Sequence, residues 1–181
     1  MLKWALIGGV FAAMVATQGA QAADAENTLY LDLKDGRVVI EMRPDLAPNH
    51  VARIKELTRQ KFYDGVVFHR VIDGFMAQTG DPTGTGAGGS GRKLKAEFNR
   101  ERHTRGVVSM ARAQDPDSAD SQFFIVFGDA SFLDNKYTAW GKVTSGMEFV
   151  DKIKRGDAAR NGTVSNPDKI VRMQVKADVK E

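Results

Sequence analysis

Apolar residues occupy every second position from Leu29 to Leu33, and this alternation predicts a β-strand. The pattern is interrupted at Asp35-Gly36 and resumes with β-branched residues from Arg37 to Met42. Asp-Gly between two alternating segments is typical of a hairpin turn. We therefore predict two antiparallel strands joined at Asp35-Gly36.

Two further segments have the apolar spacing of amphipathic helices. The first begins at Pro48, where proline suits a first helical turn, and places Val51, Ile54 and Leu57 on one side. The second runs from Met147 to Lys154. In both segments polar residues lie between the apolar positions. We therefore predict surface helices with one buried face.

Short runs rich in Val, Ile and Phe recur along the rest of the chain, separated by turn residues. These predicted strands are Val66 to Ile72, Gly106 to Ala113, Gln122 to Phe127, Ala139 to Val143 and Ile170 to Val175. Many short strands with only two helices favour an all-β barrel or sandwich over a parallel α/β sheet. A length of 181 residues supports one core and one domain.

The first 22 residues have the pattern of a cleavable secretory signal peptide. A short positive start is followed by an apolar run from Trp4 to about Ala16, and Ala20-Gln21-Ala22 is an A-x-A cleavage pattern. The alternative is an uncleaved membrane anchor, but the run is shorter than the roughly 20 apolar residues of a spanning helix. We predict a signal peptide at residues 1–22, one domain at residues 23–181, and a soluble periplasmic protein without membrane association after cleavage.

Composition excludes several chemistries. Cysteine is absent, which removes disulfides, thiolate metal ligands and a cysteine nucleophile. The net charge of +3 is spread along the chain, so no nucleic-acid partner is predicted. His50, His69 and His103 stand in separate contexts without metal-ligand spacing, and Ser109 and Ser121 have no visible base. We expect no metal, no cofactor and a structural role for both serines.

Residues 83–91 read TGTGAGGSG and contain a G-x-G-x-x-G match. A dinucleotide-binding turn requires a strand before it and a helix after it, and a phosphate-binding loop requires Gly-Lys-Ser/Thr. This chain has Gly91-Arg92-Lys93-Leu94 instead. We interpret the segment as a flexible surface loop.

Arg70 is unusual because it stands within a segment of large apolar residues, Phe68 to Ile72. Strand alternation would place Phe68, Arg70 and Ile72 on one face and His69 on the other. A guanidinium among apolar neighbours needs acceptors or a ligand. From this segment alone, an arginine whose head reaches water is an equal alternative.

Three longer motifs resemble the cyclophilin family and occur in its order. They are FHRVIDGFMAQTGD at residues 68–81, RGVVSMARA at 105–113 and SQFFI at 121–125. The resemblance runs from about Thr28 to Val150 and less distinctly to Val175. It implies an eight-stranded antiparallel barrel capped by two α-helices, with a substrate groove on the outside. It also implies a peptidyl-prolyl cis-trans isomerase that acts on proline-containing polypeptides, here unfolded exported proteins.

The resemblance assigns roles to ten residues. Arg70 is the expected principal catalytic residue, with Gln78 and Phe75 beside it. The expected substrate-binding residues are Met76, Ala111, Gln122, Phe124, Phe132, Leu133 and Tyr137. Strict alternation would send Phe75 and Met76 to opposite faces, so their shared placement in the groove rests on the resemblance.

Two positions depart from the familiar eukaryotic pattern. Phe132 stands where tryptophan is usual and Tyr137 where histidine is usual, as in the bacterial exported branch. Because the tryptophan is associated with tight cyclosporin binding, we expect only weak cyclosporin binding. Tyr137 either offers its hydroxyl to a peptide carbonyl or is a packed aromatic residue.

Other functions of the same fold stay open at this stage. A peptide-binding chaperone or interaction module would use the same groove, although Arg70 and Gln78 favour catalysis. A barrel without a peptide site would bury the groove residues. An Arg70 head turned into the barrel, or paired permanently with an acid, would contradict the isomerase hypothesis. Nothing in the sequence suggests more than a monomer.

Overall fold

The computed structural model of the chain describes residues 24–180. The predicted signal peptide at residues 1–22 therefore lies outside the described residues. The regular elements, in chain order, are β1 (Thr28–Leu33), β2 (Gly36–Met42), α1 (Pro48–Arg59), β3 (Arg70–Ile72), β4 (Met76–Thr79), β5 (Val107–Met110), β6 (Phe123–Val126), β7 (Ala139–Ser145), α2 (Met147–Val150) and β8 (Arg172–Val175).

The eight strands form one antiparallel sheet in the order β3-β4-β6-β5-β7-β2-β1-β8. The sheet curls so that the segments before its two edge strands meet. Gly65 N donates to Ile170 O at 2.8 Å, Ile170 N to Val66 O at 2.9 Å, and Phe68 N to Asp168 O at 2.9 Å. The predicted all-β, eight-stranded barrel is confirmed.

The inner face of the sheet carries the main core. Its buried residues come from the hairpin, from the apolar side of α1 and from alternate positions of the other strands, and include Leu29, Leu31, Ile40, Ile54, Val108, Phe123 and Trp140. A second apolar cluster lies on the outer face, around Met76, Val107, Phe124, Val126 and Leu133. The curled sheet is therefore covered with apolar side chains on both faces in this region.

The hairpin is confirmed, but its loop is not at the predicted pair. Leu33 pairs with Gly36, so Lys34 and Asp35 form the loop and Gly36 begins β2. Gly36 has a φ of +153°, and a Cβ there would come within 2.5 Å of the Phe149 ring. Glycine at this position is required by close packing against α2.

Helix α1 begins at Pro48 and buries Val51, Ile54 and Leu57, as predicted. Its start has no side-chain cap from Ala47. Instead, the Glu97 carboxylate accepts from Asn49 N at 3.1 Å and His50 N at 3.0 Å. A distant acid thus satisfies the free N–H groups of the first helical turn.

Two predicted elements have clearly different bounds, and one strand was not predicted. The second helix was predicted to extend to Lys154, but α2 ends at Val150 and turns follow. Of the predicted strand Val66 to Ile72, only Arg70–Ile72 pairs in the sheet, because the earlier residues bond to the segment before β8. Strand β4 was not predicted, since its four residues carry no clear alternation.

Candidate active site

Two rows of side chains cross the outer face of β3, β4 and β6. Arg70 pairs with Gln78, which pairs with Phe124. Ile72 pairs with Met76, which pairs with Val126. Cross-strand partners point to the same face of a sheet, so the polar side chains of Arg70 and Gln78 lie beside the apolar ones of Ile72, Met76, Phe124 and Val126.

These rows form one side of a groove of about 690 Å³. Nine of the ten predicted site residues line it: Arg70, Phe75, Met76, Gln78, Ala111, Phe124, Phe132, Leu133 and Tyr137. Gln122 lines an adjoining cavity instead. Residues from β3 through the turn before β7 thus meet at one place on the outside of the barrel.

Apolar side chains form a hollow within the groove. Met76, Phe124 and Leu133 are nearly buried, whereas Phe75 is half-buried and contributes a wall. Phe75 lies in the turn before β4, and for that reason strand alternation does not separate it from Met76. Phe132 is 59% exposed, and its ring centroid lies 5.2 Å from that of Phe75.

Arg70 lies at the polar side of this hollow and does not turn into the barrel. Its Nε donates to Asn161 O at 3.0 Å, its Nη2 to Asn161 Oδ1 at 2.9 Å and its Nη1 to Gln78 Oε1 at 3.1 Å. All three acceptors are neutral. Burial lowers the pKa of the guanidinium from its usual value, and Arg70 forms no ion pair with a carboxylate among residues 24–180. An arginine remains charged at neutral pH, so an uncompensated cation faces the groove.

The prediction that Phe68 and Arg70 lie on the same face of one strand is wrong. Phe68 belongs to the inner core, while Ile72 packs against the outer cluster. Phe68 precedes β3 and follows the backbone that bonds to Asp168, so the alternation starts only at Arg70.

The two glutamines connect Arg70 to the glycine-rich loop. Gln78 Nε2 donates to Gln122 Oε1 at 2.9 Å, and Gln122 Nε2 donates to the carbonyls of Gly86 at 2.9 Å and Gly88 at 2.8 Å. This chain of neutral hydrogen bonds fixes the side-chain amides. Because the Gln78 amide group is held in this orientation, its side-chain oxygen faces Arg70 and accepts a hydrogen bond from it.

The glycine-rich segment, residues 83–91, is a surface loop, as predicted. Several of its backbone N–H groups donate hydrogen bonds to the side chain of Asp81. The fully buried Asp81 carboxylate accepts from Thr83 N at 2.7 Å, Gly86 N at 2.6 Å and Gly88 N at 3.1 Å. Although burial opposes ionisation, these donors and the Thr83 hydroxyl lower the Asp81 pKa to about 2. The Asp81 side chain therefore holds the loop in place through these hydrogen bonds.

Asn161 and Arg112 also line the groove, and sequence reasoning missed both. Asn161 follows a short 3-10 turn and has a φ of +54°, which places its carbonyl and side chain together on Arg70. The Arg112 guanidinium lies 4.5 Å from the centroid of the Tyr137 ring, and that ring packs edge-on to Phe124 at 6.0 Å. The Asn161-Gly162 pair, a turn signal, was the only local sign of the first, whereas the RGVVSMARA motif contained the second.

One expectation about the serines needs correction. Ser109 does have a histidine beside it: His103 Nε2 lies 3.0 Å from Ser109 Oγ, and Asp134 Oδ1 lies 3.0 Å from His103 Nδ1. However, Ser109 is fully buried and His103 is 1% exposed, behind the stacked Phe124 ring. The arrangement has no access to substrate and supports Phe124 from behind. Ser121 Oγ donates to Gly80 O at 2.7 Å, which is a structural role.

Residues 24–180 contain no cluster of three or more His, Asp or Glu side chains arranged to hold a metal ion. Within the same range, no helix has the length and apolar character required to cross a membrane.

Comparison with known protein families finds one match that spans the fold and the groove. The model of the cyclophilin type peptidyl-prolyl cis-trans isomerases matches residues 28–175. A probable peptidyl-prolyl cis-trans isomerase of Brucella suis is 53% identical over 193 aligned positions, covering 99% of this chain and 98% of the relative. Peptidyl-prolyl cis-trans isomerase B of Bacillus subtilis is 44% identical, covering 74% of this chain and 94% of the relative.

Solved structures give the same result. A cyclophilin of Hirschia baltica superposes with a TM-score of 0.77 at 29% identity, covering 87% of this chain and 76% of that one. A cyclophilin type isomerase of Cryptosporidium parvum, determined in the presence of the dipeptide Ala-Pro, has a TM-score of 0.75 at 27% identity. It covers 82% of this chain and 98% of the neighbour.

Proposed function

Because this chain belongs to the cyclophilin type peptidyl-prolyl cis-trans isomerase family, we propose that the groove around Arg70 is its active site and that its substrates are proline-containing segments of unfolded exported proteins. Arg70 is the principal catalytic residue in this proposal. Phe75, Met76, Phe124 and Leu133 hold the proline ring, and Gln78 positions Arg70.

The reaction itself defines what the site must do. Rotation about an X-Pro bond crosses a barrier of roughly 18–20 kcal/mol because amide resonance is lost in the twisted state. No covalent bond breaks, so no nucleophile, metal or cofactor is needed. The catalyst must bind the twisted amide more tightly than either planar form.

Arg70 can supply this difference in binding. When the amide twists, the prolyl nitrogen becomes pyramidal and gains a localised lone pair. The guanidinium can then donate a hydrogen bond to that nitrogen, and the interaction is stronger where the groove excludes water. Asn161 and Gln78 hold the guanidinium in place through three hydrogen bonds, so little reorganisation is needed.

The apolar hollow supplies a fixed reference for the rotation. A pyrrolidine ring held by Phe75, Met76, Phe124 and Leu133 stays in place while the preceding residue's carbonyl turns about the bond. The partly buried Tyr137 borders the same hollow and packs on Phe124. Its close contacts with Phe124 and Arg112 favour a packed aromatic role, and its hydroxyl stays available as a donor to the peptide.

The observation that carries the proposal is a charged guanidinium, hydrogen-bonded to the neutral groups of Asn161 and Gln78, beside an apolar hollow. The test is the cis-to-trans rate of a short proline peptide with purified wild type protein. Rapid catalysis that saturates with peptide supports the proposal. A rate equal to that of the uncatalysed peptide contradicts it.

Export is a separate part of the proposal and rests on residues 1–22. The short positive start, the apolar run and the A-x-A pattern at Ala20 to Ala22 are those of a cleavable signal. Expression of the full chain followed by cell fractionation and determination of the mature N-terminus tests it. A periplasmic protein that begins near Ala23 is expected; a full-length protein retained in the cytoplasm or membrane contradicts it.

The peptide-binding chaperone alternative is tested with the same protein. Suppression of client aggregation that persists unchanged in Arg70→Ala would indicate that binding, and not isomerisation, is the useful activity. Loss of refolding assistance together with isomerase activity would support catalysis. We further expect a monomer with weak cyclosporin binding, which gel filtration and calorimetric titration measure.

A further inference from the structure

The end of the glycine-rich loop is tied to the segment that leads into β6. The Asp120 carboxylate accepts hydrogen bonds from Ser90 N at 2.8 Å and Gly91 N at 3.0 Å, and from the Ser90 hydroxyl. Asp120 stands two positions before Gln122, whose amide donates to two carbonyls of the same loop. A shift of the loop would therefore also displace the Gln122 amide.

Arg53, on helix α1, contacts the same serine hydroxyl. Its Nη2 donates to Ser90 Oγ at 2.8 Å, and its Nη1 pairs with Glu56 Oε2 on the same helix at 2.8 Å. A hydroxyl has one donor and two acceptor sites, so Ser90 accepts from Arg53 while it donates to Asp120. Arg53 thus connects α1 to the end of the glycine-rich loop, 37 positions later in the sequence.

A charged side chain at position 53 contributes little stability that an apolar one would not. Only 9% of Arg53 is exposed, and its Nε has no hydrogen-bond partner among residues 24–180. Removal of a guanidinium from water is unfavourable, and a buried charge is often no more stabilising than an apolar side chain of similar size. The acidic partner, Glu56, is exposed, so that ion pair contributes little. The contact with Ser90 is what an apolar residue could not supply.

We propose that Arg53 is a positioning residue for catalysis, because it fixes the end of the glycine-rich loop and, through the loop, the two glutamines beside Arg70. The loop carbonyls accept from Gln122, Gln122 accepts from Gln78, and Gln78 accepts from Arg70. Each of these hydrogen bonds, like that from Arg53 to Ser90, is 2.8–3.1 Å long. The inference rests on the proposed function, because it requires Arg70 to act on the twisted amide.

The first test removes the contact between Arg53 and Ser90. Arg53→Met keeps an unbranched side chain and removes the charge and the donors, and isomerisation of a short proline peptide gives kcat and KM. We expect kcat to fall about three- to tenfold, the value of one hydrogen bond. KM should change little, since the apolar hollow that holds the proline contains no member of this chain of hydrogen bonds. Ser90→Ala removes the acceptor and leaves α1 unchanged, so it should cause the same loss and replaces Arg53→Met as the test if that variant does not fold.

Two further readouts distinguish positioning from a general loosening of α1. Gln122→Ala interrupts the chain of hydrogen bonds, so Arg53→Met should have little further effect on kcat in that background. The NMR signals of the Gln122 side-chain amide should shift in Arg53→Met. Arg59→Met is the matched control, since it makes the same change on the same helix, where Arg59 pairs with Glu26 at 2.9 Å and Asp178 at 2.8 Å and has no hydrogen bond to the loop. It should leave kcat and these signals unchanged.

The outcomes separate this inference from the proposed function. Wild type kcat in folded Arg53→Met and Ser90→Ala overturns the inference while the isomerase function stands. An equal fall of kcat in Arg59→Met also overturns it, because a loosened α1 would then suffice. So does an undiminished effect of Arg53→Met in the Gln122→Ala background. Absence of turnover by the wild type protein overturns the proposed function and this inference with it.

Discussion

Replacement of Arg70 separates catalysis from folding. Arg70→Ala removes the guanidinium that we propose to donate to the twisted amide. Removal of a single preorganised donor of this kind costs a factor of about 10²–10³ in rate, or roughly 2.7–4 kcal/mol in the activation barrier. We expect kcat/KM for a proline peptide to fall by about that factor.

The fold should survive the same change. The three acceptors that lose their partner are Asn161 O, Asn161 Oδ1 and Gln78 Oε1. They lie at the groove, where water can replace the guanidinium, so the expected loss in the free energy of unfolding is about 1 kcal/mol. That is small beside the roughly 5–15 kcal/mol of a typical domain.

Arg70→Lys tests whether the fork is needed or the charge alone suffices. Lysine keeps the positive charge but cannot reach Asn161 and Gln78 together in a planar arrangement. We expect it to lose most of the activity as well. Cis-to-trans rates by a protease-coupled assay or by exchange NMR, with circular dichroism melting for the fold, measure both properties.

Arg37→Ala is a control, because Arg37 pairs with Asp32 at 2.7 Å on the hairpin, away from the groove. It should retain wild type activity. Near-wild-type kcat/KM in a folded Arg70→Ala would refute the mechanism. Full activity in Arg70→Lys would refute the requirement for a planar fork.

Three further changes test the supports of the site. Asn161→Gly keeps the left-handed backbone but removes one acceptor of Arg70, so kcat should fall a few-fold with little change in KM or melting temperature; an unchanged kcat would contradict positioning by Asn161. Asp81 has its pKa lowered to about 2, so it contributes stability that is present above pH about 4 and is lost as the pH falls through about 2; Asp81→Asn should remove up to about 2 kcal/mol from the urea unfolding free energy at pH 7 and should lack that acid dependence. Equal unfolding curves at pH 7 would show that the carboxylate does not anchor the loop. Phe132→Trp should tighten cyclosporin binding in a calorimetric titration, because residue 132 is exposed at the rim and an indole adds area and an N–H donor; unchanged affinity would place the determinant elsewhere.

Local periodicity predicted the parts of the fold whose pattern is complete within a short segment. The hairpin and α1 are of this kind, since their buried faces follow from spacings of two and of three to four residues. The bounds of β3 could not be predicted in this way. Val66 and Phe68 bond to residues about 100 positions later, and that long-range pairing decides where β3 starts.

The site, like the fold, could be predicted from the sequence only in part. The ten site residues were identified by resemblance, seven of them within the three motifs, and nine of the ten line one groove. The contacts that support the site do not follow from any of the motifs. Asn161 reaches Arg70 across 91 positions, and Asp81 organises a loop whose glycines alone resemble a phosphate-binding sequence. These contacts form only when the barrel closes and brings distant segments of the chain together.

The two faces of the sheet explain which groove residues can vary without harm to the fold. In β6, Phe123 and Ile125 point into the main core, while Phe124 and Val126 form the outer cluster. Phe124 is only 4% exposed, so its truncation would create a cavity and weaken the proline hollow together. Phe132 lies at the rim of the groove and is 59% exposed. Changes in inhibitor binding or peptide preference are therefore expected at the rim, whereas the hollow is constrained by stability as well as by catalysis.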